Sequence, residues 1–353
     1  MYFYKCLAKQ LQDKKPFVVY RKPNASKMVG LFQKTFDLHQ VRDFSEIGFV
    51  MAPFSQGQRF YIPLDQAAVL VDQAPVGDMG FEQNVLDYND QHAKQAFESL
   101  VSNCIEAIDQ GLFDKVVPSR KEIIKVNLQE DIQGLFQKLC VSYPTAFCYV
   151  MYHPAIGMWA GATPESLLKI NQGILQTMAL AGTQLNHGRE EVIWQAKERE
   201  EQAFVTDFII KTLDPLTSNI KTSEPYTKRA AKVMHICTDI TAELTQNNLE
   251  EIVTALHPTP AVCGMPKANA HEFLLKQEGY QRKYYAGYIG ELNCDVVNQS
   301  LSNVDLYVNL RCMEVEEDRV NLYIGCGVTK DSDPQAEFIE TVNKSSTMKK
   351  VLM

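Results

Sequence analysis

Residues 325–344 read GCGVTKDSDPQAEFIETVNK, a stretch in which a glycine-rich turn leads into a helix. Asp333 is a preferred N-cap and Pro334 suits the first helical position, so we predict that the helix begins there. The GCGVT turn could present backbone N–H groups to an anion beside the helix N-terminus. A short Gly-x-Gly in a strand more often marks a β-bulge, so this signal is weak when taken alone.

The helix predicted after Asp333 carries Glu337, Glu340 and Lys344 at spacings of three and four residues. Residues at these spacings share one stripe of a helix surface. Two interpretations of the stripe are open. It is either a solvated face with an ordinary glutamate–lysine pair, or an acidic wall of an active site that holds a cation.

The composition of the chain is that of a globular protein with a sizeable core. Its 353 residues are 45% hydrophobic and carry a formal charge of -8, without a basic run. This charge argues against nucleic acid or an anionic membrane surface as the main partner. An anionic substrate would therefore need a local basic pocket.

Nine cysteines are present, without a CxxC or Cys/His zinc pattern, and their odd number does not suit complete disulfide pairing. Reduced thiols in a cytoplasm fit this pattern best. The N-terminus lacks the apolar core of a signal peptide, and no stretch approaches 18 uncharged apolar residues. We expect a cytoplasmic protein that does not enter a membrane.

The N-terminal third combines strands with one long helix. FVVYR and RFYIPL are typical of strands, and residues 71–90 form a turn-rich acidic stretch that we interpret as a linker. Residues His92 to Gln110 have apolar residues at helical spacing. The following KVVPSRKEIIKV is a strand candidate in which Pro118 implies an edge position or a bulge.

The middle of the chain alternates helical and β-rich stretches. A second amphipathic helix, LQEDIQGLFQKLC, precedes residues 145–184, whose glycine and proline punctuation suggests a meandering antiparallel sheet. A long helix is then predicted from about Glu190 to Leu213. Its predicted apolar face consists of Ile193, Trp194, Phe204, Val205, Phe208 and Ile209.

Two charged residues occupy apolar surroundings. Glu201 projects near the middle of the apolar face of the long helix, where a carboxylate needs a cation, a proton or strong donors, unless it reaches solvent from the helix end. Arg311 interrupts an apolar run near the C-terminus and needs an anion, either a ligand or a structural ion-pair partner. The sequence contains no P-loop, GxSxG elbow or HExxH motif.

Several segments together resemble the chorismate-utilising enzymes, which include isochorismate, salicylate, anthranilate and aminodeoxychorismate synthases. The matching segments, in the family's order over about residues 95–350, are FDKVVPSR, WAGATPESLL, ALAGT, KEREEQAFV, LHPTPAVCGMP, KYYAGYIGELN, NLRC and IGCGVTKDSDPQAEFIETVNK. The resemblance implies an α/β fold of the α+β type, with two stacked, largely antiparallel sheets flanked by helices. We expect one structural domain, with residues 1–90 as its weakly matching N-terminal part and residues 91–353 as the chorismate-binding catalytic region.

Within this resemblance, Lys115 occupies the position at which isochorismate and salicylate synthases have a lysine that activates water. Ammonia-using anthranilate synthases typically have glutamine there. The resemblance makes Lys115 the general base and Glu165 the general acid, so Lys115 must be partly deprotonated and Glu165 protonated at neutral pH. Taken alone, the two residues would be a surface lysine and a turn carboxylate.

The resemblance also implies a Mg²⁺ site and a substrate site. Glu201 and Glu340 match carboxylates that hold Mg²⁺, and Glu198 and Glu337 match second acidic positions that reach it directly or through water. The implied substrate contacts are Gly182, Thr183, His257, Tyr285, Arg311, Gly327 and Lys344. A buried structural histidine remains the alternative for His257.

Two positions depart from the family pattern: Gln184 stands where many relatives have arginine, and Pro118 where leucine is common. The expected activity is that of a Mg²⁺-dependent isochorismate synthase acting on chorismate, without an obligatory glutaminase subunit. The alternatives are a salicylate synthase, the less favoured anthranilate synthase large subunit, and a catalytically silent chorismate binder. The sequence does not indicate whether the product serves menaquinone, a siderophore or another aromatic pathway.

Overall fold

The protein is described by a computed structural model over residues 2–77, 90–128, 131–185, 193–230, 233–246 and 248–352. The helices of this part of the chain are α1 (Tyr2–Gln12), α2 (Gln91–Asp109), α3 (Ile132–Ser142), α4 (Ala196–Leu213), α5 (Leu249–Leu256), α6 (Lys267–Gln277) and α7 (Pro334–Lys349). The strands up to the start of α4 are β1 (Phe17–Arg21), β2 (Lys27–Gln33), β3 (His39–Gln40), β4 (Gly48–Ala52), β5 (Phe60–Pro63), β6 (Ala67–Gln73), β7 (Lys115–Val116), β8 (Ser119–Lys125), β9 (Phe147–His153), β10 (Gly157–Thr163), β11 (Ser166–Asn171) and β12 (Ile174–Leu185). Those after α4 are β13 (Thr217–Thr222), β14 (Tyr226–Ala230), β15 (Val233–Leu244), β16 (Gly264–Met265), β17 (Tyr288–Leu292), β18 (Cys294–Asp295), β19 (Ser300–Leu301), β20 (Val304–Val308), β21 (Cys312–Val315) and β22 (Arg319–Gly325).

Two large antiparallel sheets form the body of the molecule. The first has the strand order β6-β2-β1-β9-β10-β21-β22-β8. The second has the order β13-β15-β12-β11-β20-β17-β4-β5-β3, with β14 also paired to β15. Strands that precede α2 therefore pair within both sheets. Two short ladders, β7 with β16 and β18 with β19, lie outside these two sheets.

Strand β1 shows why the sheets stack. All five of its residues are buried, and successive side chains of a strand point to opposite faces. Val18 and Tyr20 join a core shared with the second sheet, where the Tyr20 ring lies 5.0 Å from that of Phe49. Phe17 and Val19 join a separate core with residues of α1 and α3. The predicted arrangement of stacked antiparallel sheets with outer helices is confirmed.

Helices α4 and α7 bring the acidic segments to the sheets. Helix α4 packs on β12 and β15, whereas α7 packs on β22 and α2. The rings of Phe97 on α2 and Phe338 on α7 lie 6.5 Å apart. Helix α7 begins as predicted, because the Asp333 side chain accepts a hydrogen bond from Ala336 N at 2.8 Å.

The prediction for the long helix was wrong at its start. Glu190 lies outside the described residues, but residues 193–195 are not helical and the helix begins at Ala196. Gln195 has extended backbone, and its N–H donates to Glu198 Oε2 at 3.0 Å, which closes the first turn. Ile193 and Phe204 are 86% and 61% exposed, so they do not belong to the apolar face.

Other expectations are met with changes in detail. Pro118 separates β7 from the edge strand β8, in agreement with the predicted edge position. The stretch interpreted as a linker contributes residues 71–73 to β6, and residues 78–89 lie outside the described part. All nine cysteines are free thiols. Among the described residues, no helix has both the length and the apolar character needed to cross a membrane.

Candidate active site

A cavity of about 320 Å³ lies where both sheets meet α4 and α7. This volume is within the range of about 300–1,000 Å³ that is typical of small-molecule sites. Most of the residues expected in a site line it: Lys115, Glu165, Gly182, Glu198, Glu201, Tyr285, Arg311, Gly327, Glu337, Glu340 and Lys344. The cavity therefore brings together expected site residues that are up to 229 positions apart in the sequence, from Lys115 to Lys344.

Lys115 is fixed by backbone pairing on both sides of its strand. Met265 pairs with Lys115 in the short ladder of β16 with β7. Val116 exchanges two hydrogen bonds with Val328, at 3.1 and 2.8 Å. This places Gly327 against the lysine, since a Cβ at Gly327 would lie 3.1 Å from Lys115 Cε. Glycine at this position leaves room for the lysine side chain.

Glu165 lies in the short connection between β10 of the first sheet and β11 of the second. Its N–H donates to Thr163 Oγ1 at 3.3 Å, and its carbonyl accepts from Val308 N at 2.9 Å. Burial raises the pKa of Glu165 to about 7, although the nearby cations Lys115 and Arg311 act in the opposite direction. A carboxyl with this pKa is able to donate a proton at neutral pH.

On α4, both expected carboxylates face the cavity and already have partners. Lys115 Nζ donates to Glu201 Oε1 in a short ion pair, which satisfies the charge that the sequence places in apolar surroundings. Glu198 accepts from Gln184 Nε2 at 3.4 Å, so the departure at position 184 contacts a carboxylate of the cavity. Gly182 has φ +68° at a β-bulge, and a Cβ there would lie 3.0 Å from Glu198 Cβ.

On α7, the acidic stripe contains the expected glutamate–lysine pair and lines the cavity, and its role in holding a cation stays a prediction. Lys344 Nζ pairs with Glu340 at 2.6 Å and donates to Gly325 O at 3.1 Å, while all three residues of the stripe line the cavity. Burial opposes the charged form of Glu340, but Lys344 and Arg311 together outweigh it and hold the pKa of Glu340 below its usual value. Burial raises the pKa of Glu337.

Arg311 lies between β20 and β21 with φ +48°. Its Nη1 donates to Lys344 O at 3.2 Å, and it forms no ion pair with any of the described residues. The sequence leaves two kinds of anionic partner open for Arg311, a ligand or a structural carboxylate. The described part of the chain contains no carboxylate that pairs with it. Tyr285 lies in the same wall, with its ring stacked 5.7 Å from that of Tyr323.

Two expected residues, Thr183 and His257, remain to be placed. The side chain of Thr183 lies outside the described part of the structure. His257 does not line the cavity; its Nε2 lies 3.1 Å from Pro53 O, and its ring packs against Tyr288. The alternative of a buried structural histidine therefore describes His257 better than a pocket role.

Sequence reasoning missed His235, which lines the cavity from β15. Its Nδ1 lies 3.0 Å from Gly182 O, and burial lowers its pKa to about 4, so the ring is neutral at pH 7. The available signal was alternation in VMHICTDI, where Met234 and Ile236 are buried on either side of His235. Tyr323 and Cys326 also line the cavity without having been predicted.

The carboxylates fit Mg²⁺ in chemistry but are not assembled as a metal site. Oxygen donors suit Mg²⁺, and Glu337 Oε2 is buried without a hydrogen-bond partner among the described atoms. Glu201 and Glu340, however, are held by lysines, and the described residues contain no group of three or more side chains placed to hold a metal. The geometry is that of two separate ion pairs beside one unpaired carboxylate oxygen.

Comparison with known proteins gives a consistent family. The profile of the family described as "Chorismate binding enzyme" matches residues 55–353. The salicylate biosynthesis isochorismate synthase of Pseudomonas aeruginosa is 32% identical over 269 residues, covering 73% of this chain and 55% of that protein. The isochorismate synthase MenF of Escherichia coli K12 is 27% identical over 269 residues, covering 73% of this chain and 60% of that protein.

The matched part of the chain thus spans little more than half the length of these two relatives. Among solved structures, the menaquinone-specific isochorismate synthase MenF from Escherichia coli superposes with a TM-score of 0.79 and 20% sequence identity. That superposition covers 96% of this chain and 89% of the other. At this identity the likeness shows the fold, which agrees with the architecture described above.

Proposed function

The chain belongs to the family of chorismate-binding enzymes, and from this premise we propose that it is an isochorismate synthase. The observation that carries the proposal is that Lys115 and Glu165, a candidate base and a candidate acid, line the same cavity. The names of two compared relatives support the same activity. A lysine rather than a glutamine at position 115 favours water over ammonia as the nucleophile.

In the proposed reaction the ring loses its hydroxyl at C4 and gains one at C2. Lys115 accepts a proton from water as the water oxygen bonds to ring C2. The two ring double bonds then shift, and the bond between C4 and its hydroxyl breaks. Glu165 donates a proton to the departing hydroxyl. One water enters and one leaves, so the reaction needs no oxidant or reductant and is reversible.

Lys115 can act as a base only when its Nζ is free to accept a proton from water, whereas in the structure this atom donates to Glu201 Oε1. The proposed mechanism therefore requires Lys115 to separate from Glu201 before water is activated. Glu165 needs no such change, because its pKa of about 7 already maintains a protonated fraction at neutral pH. Binding of the substrate must therefore be accompanied by separation of Lys115 from Glu201.

Mg²⁺ is proposed as the cofactor, held by Glu201 and Glu340 with Glu198 and Glu337 beside them. When bound, it would supply positive charge to the ring carboxylate of the substrate. The support lies in the oxygen donors of the four side chains and in the unpartnered Glu337 Oε2.

The remaining cavity residues suit a dicarboxylate substrate. Arg311 has no carboxylate partner among the described residues and is suited to grip the enolpyruvyl carboxylate bidentately, beside Tyr285 and the backbone of Gly327. Lys344 lies near the same anionic end, and Gly182 contributes to the wall around the ring. His235 is neutral at pH 7 and is therefore suited to hydrogen bonding with the substrate rather than to charge pairing.

The test is to incubate the purified protein with chorismate, with and without Mg²⁺, and to separate the products by chromatography with mass detection. Mg²⁺-dependent isochorismate that reaches a stable ratio with chorismate, without equivalent pyruvate, is the expected result. Salicylate with equimolar pyruvate would instead establish a salicylate synthase. Binding of chorismate without turnover would establish a silent binder, and anthranilate formed with ammonia would refute the role given to Lys115.

A further inference from the structure

A buried carboxylate lies behind the tyrosine wall of the cavity. Glu314 is on β21, is 6% exposed and is not among the residues that line the cavity. It pairs across the first sheet with Trp159 on one side and Asn321 on the other. A carboxylate in the interior of a sheet is costly unless its oxygens are well paired.

Both oxygens of Glu314 have partners that lead to the cavity wall. Lys283 Nζ pairs with Oε1 at 2.5 Å. Oε2 accepts from Tyr323 Oη at 3.0 Å and from Asn321 Nδ2 at 3.3 Å. The carboxylate therefore joins a strand residue that lines the cavity to the loop that precedes β17.

Two of these partners, Tyr323 and Lys283, connect Glu314 to Tyr285 by different routes. The Tyr323 ring stacks on Tyr285 at 5.7 Å and 16°, and on Trp159 at 5.4 Å and 21°. Lys283 precedes Tyr285 by two residues and has φ +51°, a conformation that a lysine rarely adopts. Glu314 thus fixes both the ring against which Tyr285 rests and the strained backbone that carries it.

We propose that Glu314 is a positioning residue for the substrate-carboxylate site, acting through Tyr323 and Lys283 to hold Tyr285 in place. The inference rests on the proposed function, because it deepens the role given there to Tyr285. Loss of Glu314 then weakens substrate binding while the acid and the base remain in place. A purely structural carboxylate would change stability alone.

The chain offers a matched control in Glu291, a buried carboxylate with the same kinds of partner. Glu291 is 1% exposed, pairs with Lys22 Nζ at 2.5 Å and accepts from Tyr20 Oη at 2.5 Å. Neither Glu291 nor these partners line the cavity. Substitutions at Glu291 therefore remove a lysine ion pair of a buried carboxylate and a similar tyrosine hydrogen bond outside the cavity.

The experiment measures calorimetric binding of chorismate, and thermal unfolding, for Glu314→Leu, Glu314→Gln, Glu291→Leu and Glu291→Gln. Glu314→Leu should raise the Kd about tenfold, the loss expected for one charged hydrogen bond. Glu314→Gln should have a smaller effect, because its amide oxygen still accepts from Tyr323. Both Glu291 variants should bind chorismate as the wild type does, although all four variants unfold at lower temperature.

An unchanged Kd in the folded Glu314 variants, or an equal rise in the Glu291 variants, would overturn the inference. If the leucine variants fail to fold, Tyr323→Phe and the two glutamine variants make the same comparison. The experiment measures binding and not turnover. Wild-type protein that binds chorismate without converting it would therefore refute the isochorismate synthase proposal, while the Kd values of the variants would still test the role of Glu314. A wild type that does not bind chorismate would overturn both.

Discussion

Replacing Glu165 by glutamine should remove turnover and at the same time stabilise the folded protein above neutral pH. Glutamine resembles the protonated carboxyl in size and is uncharged at every pH. It therefore lacks the proton that the proposed acid must donate, and it also lacks the buried charge that the folded protein tolerates poorly. The two effects have the same physical origin, the burial of this carboxyl.

The magnitude follows from the pKa of Glu165, which burial raises from 4.5 to about 7. Each pKa unit is equivalent to about 1.4 kcal/mol, so the charged form is disfavoured in the folded protein by about 3 kcal/mol. Because the folded pKa lies above the unfolded one, the wild type loses stability as pH rises from 4.5 to 7 and loses no more above that range. Glu165→Gln has no such loss.

The assay is urea unfolding of wild type and Glu165→Gln at pH 5 and at pH 8. The advantage of the variant in free energy of unfolding should grow from about 1 kcal/mol at pH 5 to about 3 kcal/mol at pH 8. Its kcat should fall by about 10²- to 10⁴-fold, the usual contribution of a general acid. Wild-type turnover should itself decline above pH 7 as Glu165 loses its proton.

A stability difference that is the same at pH 5 and pH 8 would refute this reasoning, because it would show that Glu165 ionises like an exposed carboxyl. Glu272→Gln provides the control. Glu272 is exposed on α6, pairs with Lys276 at 2.6 Å and does not line the cavity. Lys276 lowers the pKa of Glu272, so this variant should leave turnover unchanged and should gain no stability between pH 5 and pH 8.

The other predictions concern the base and the proposed metal site. Lys115→Ala should abolish isochorismate formation while changing the calorimetric Kd for chorismate by less than about tenfold; full activity would eliminate the mechanism. Glu201→Gln should abolish both Mg²⁺ dependence and the heat of Mg²⁺ binding, and an unchanged Mg²⁺ titration would remove this residue from the metal site. Gly327→Ala should lower kcat about tenfold at an unchanged melting temperature, since the added Cβ would lie 3.1 Å from Lys115 Cε. An unaltered kcat would show that the lysine side chain moves aside without cost.

Local chemistry made part of the fold predictable from the sequence. Helix α7 has the expected start because Asp333 and Pro334 are strong local signals that need no tertiary partner. The alternation and turn residues of residues 145–184 predicted antiparallel strands, but not that they divide between two sheets at Glu165. That division depends on contacts between distant segments, which short-range patterns do not record.

The predictions that failed depended on the direction in which a side chain points. Helical spacing alone extended α4 back past Gln195, because it does not register the backbone hydrogen bond to Glu198 that closes the first turn. Phe204 faces solvent since the packed sheet covers only one side of the helix. In the same way, the alternation around His235 places it on the strand face opposite Met234 and Ile236, but it does not show that this face lines a cavity, whereas His257 faces a loop carbonyl.

The charge of the cavity explains why the proposed site would need a metal. Its wall contains three cations against four carboxylates other than Glu165, namely Lys115, Arg311 and Lys344 against Glu198, Glu201, Glu337 and Glu340. With all of them ionised the wall carries a net charge of about -1, which repels a substrate with two carboxylates. One divalent cation reverses that sign. It would also compete with the lysines for Glu201 and Glu340, so the two ion pairs of the present structure become a reason to expect that metal and substrate binding are coupled.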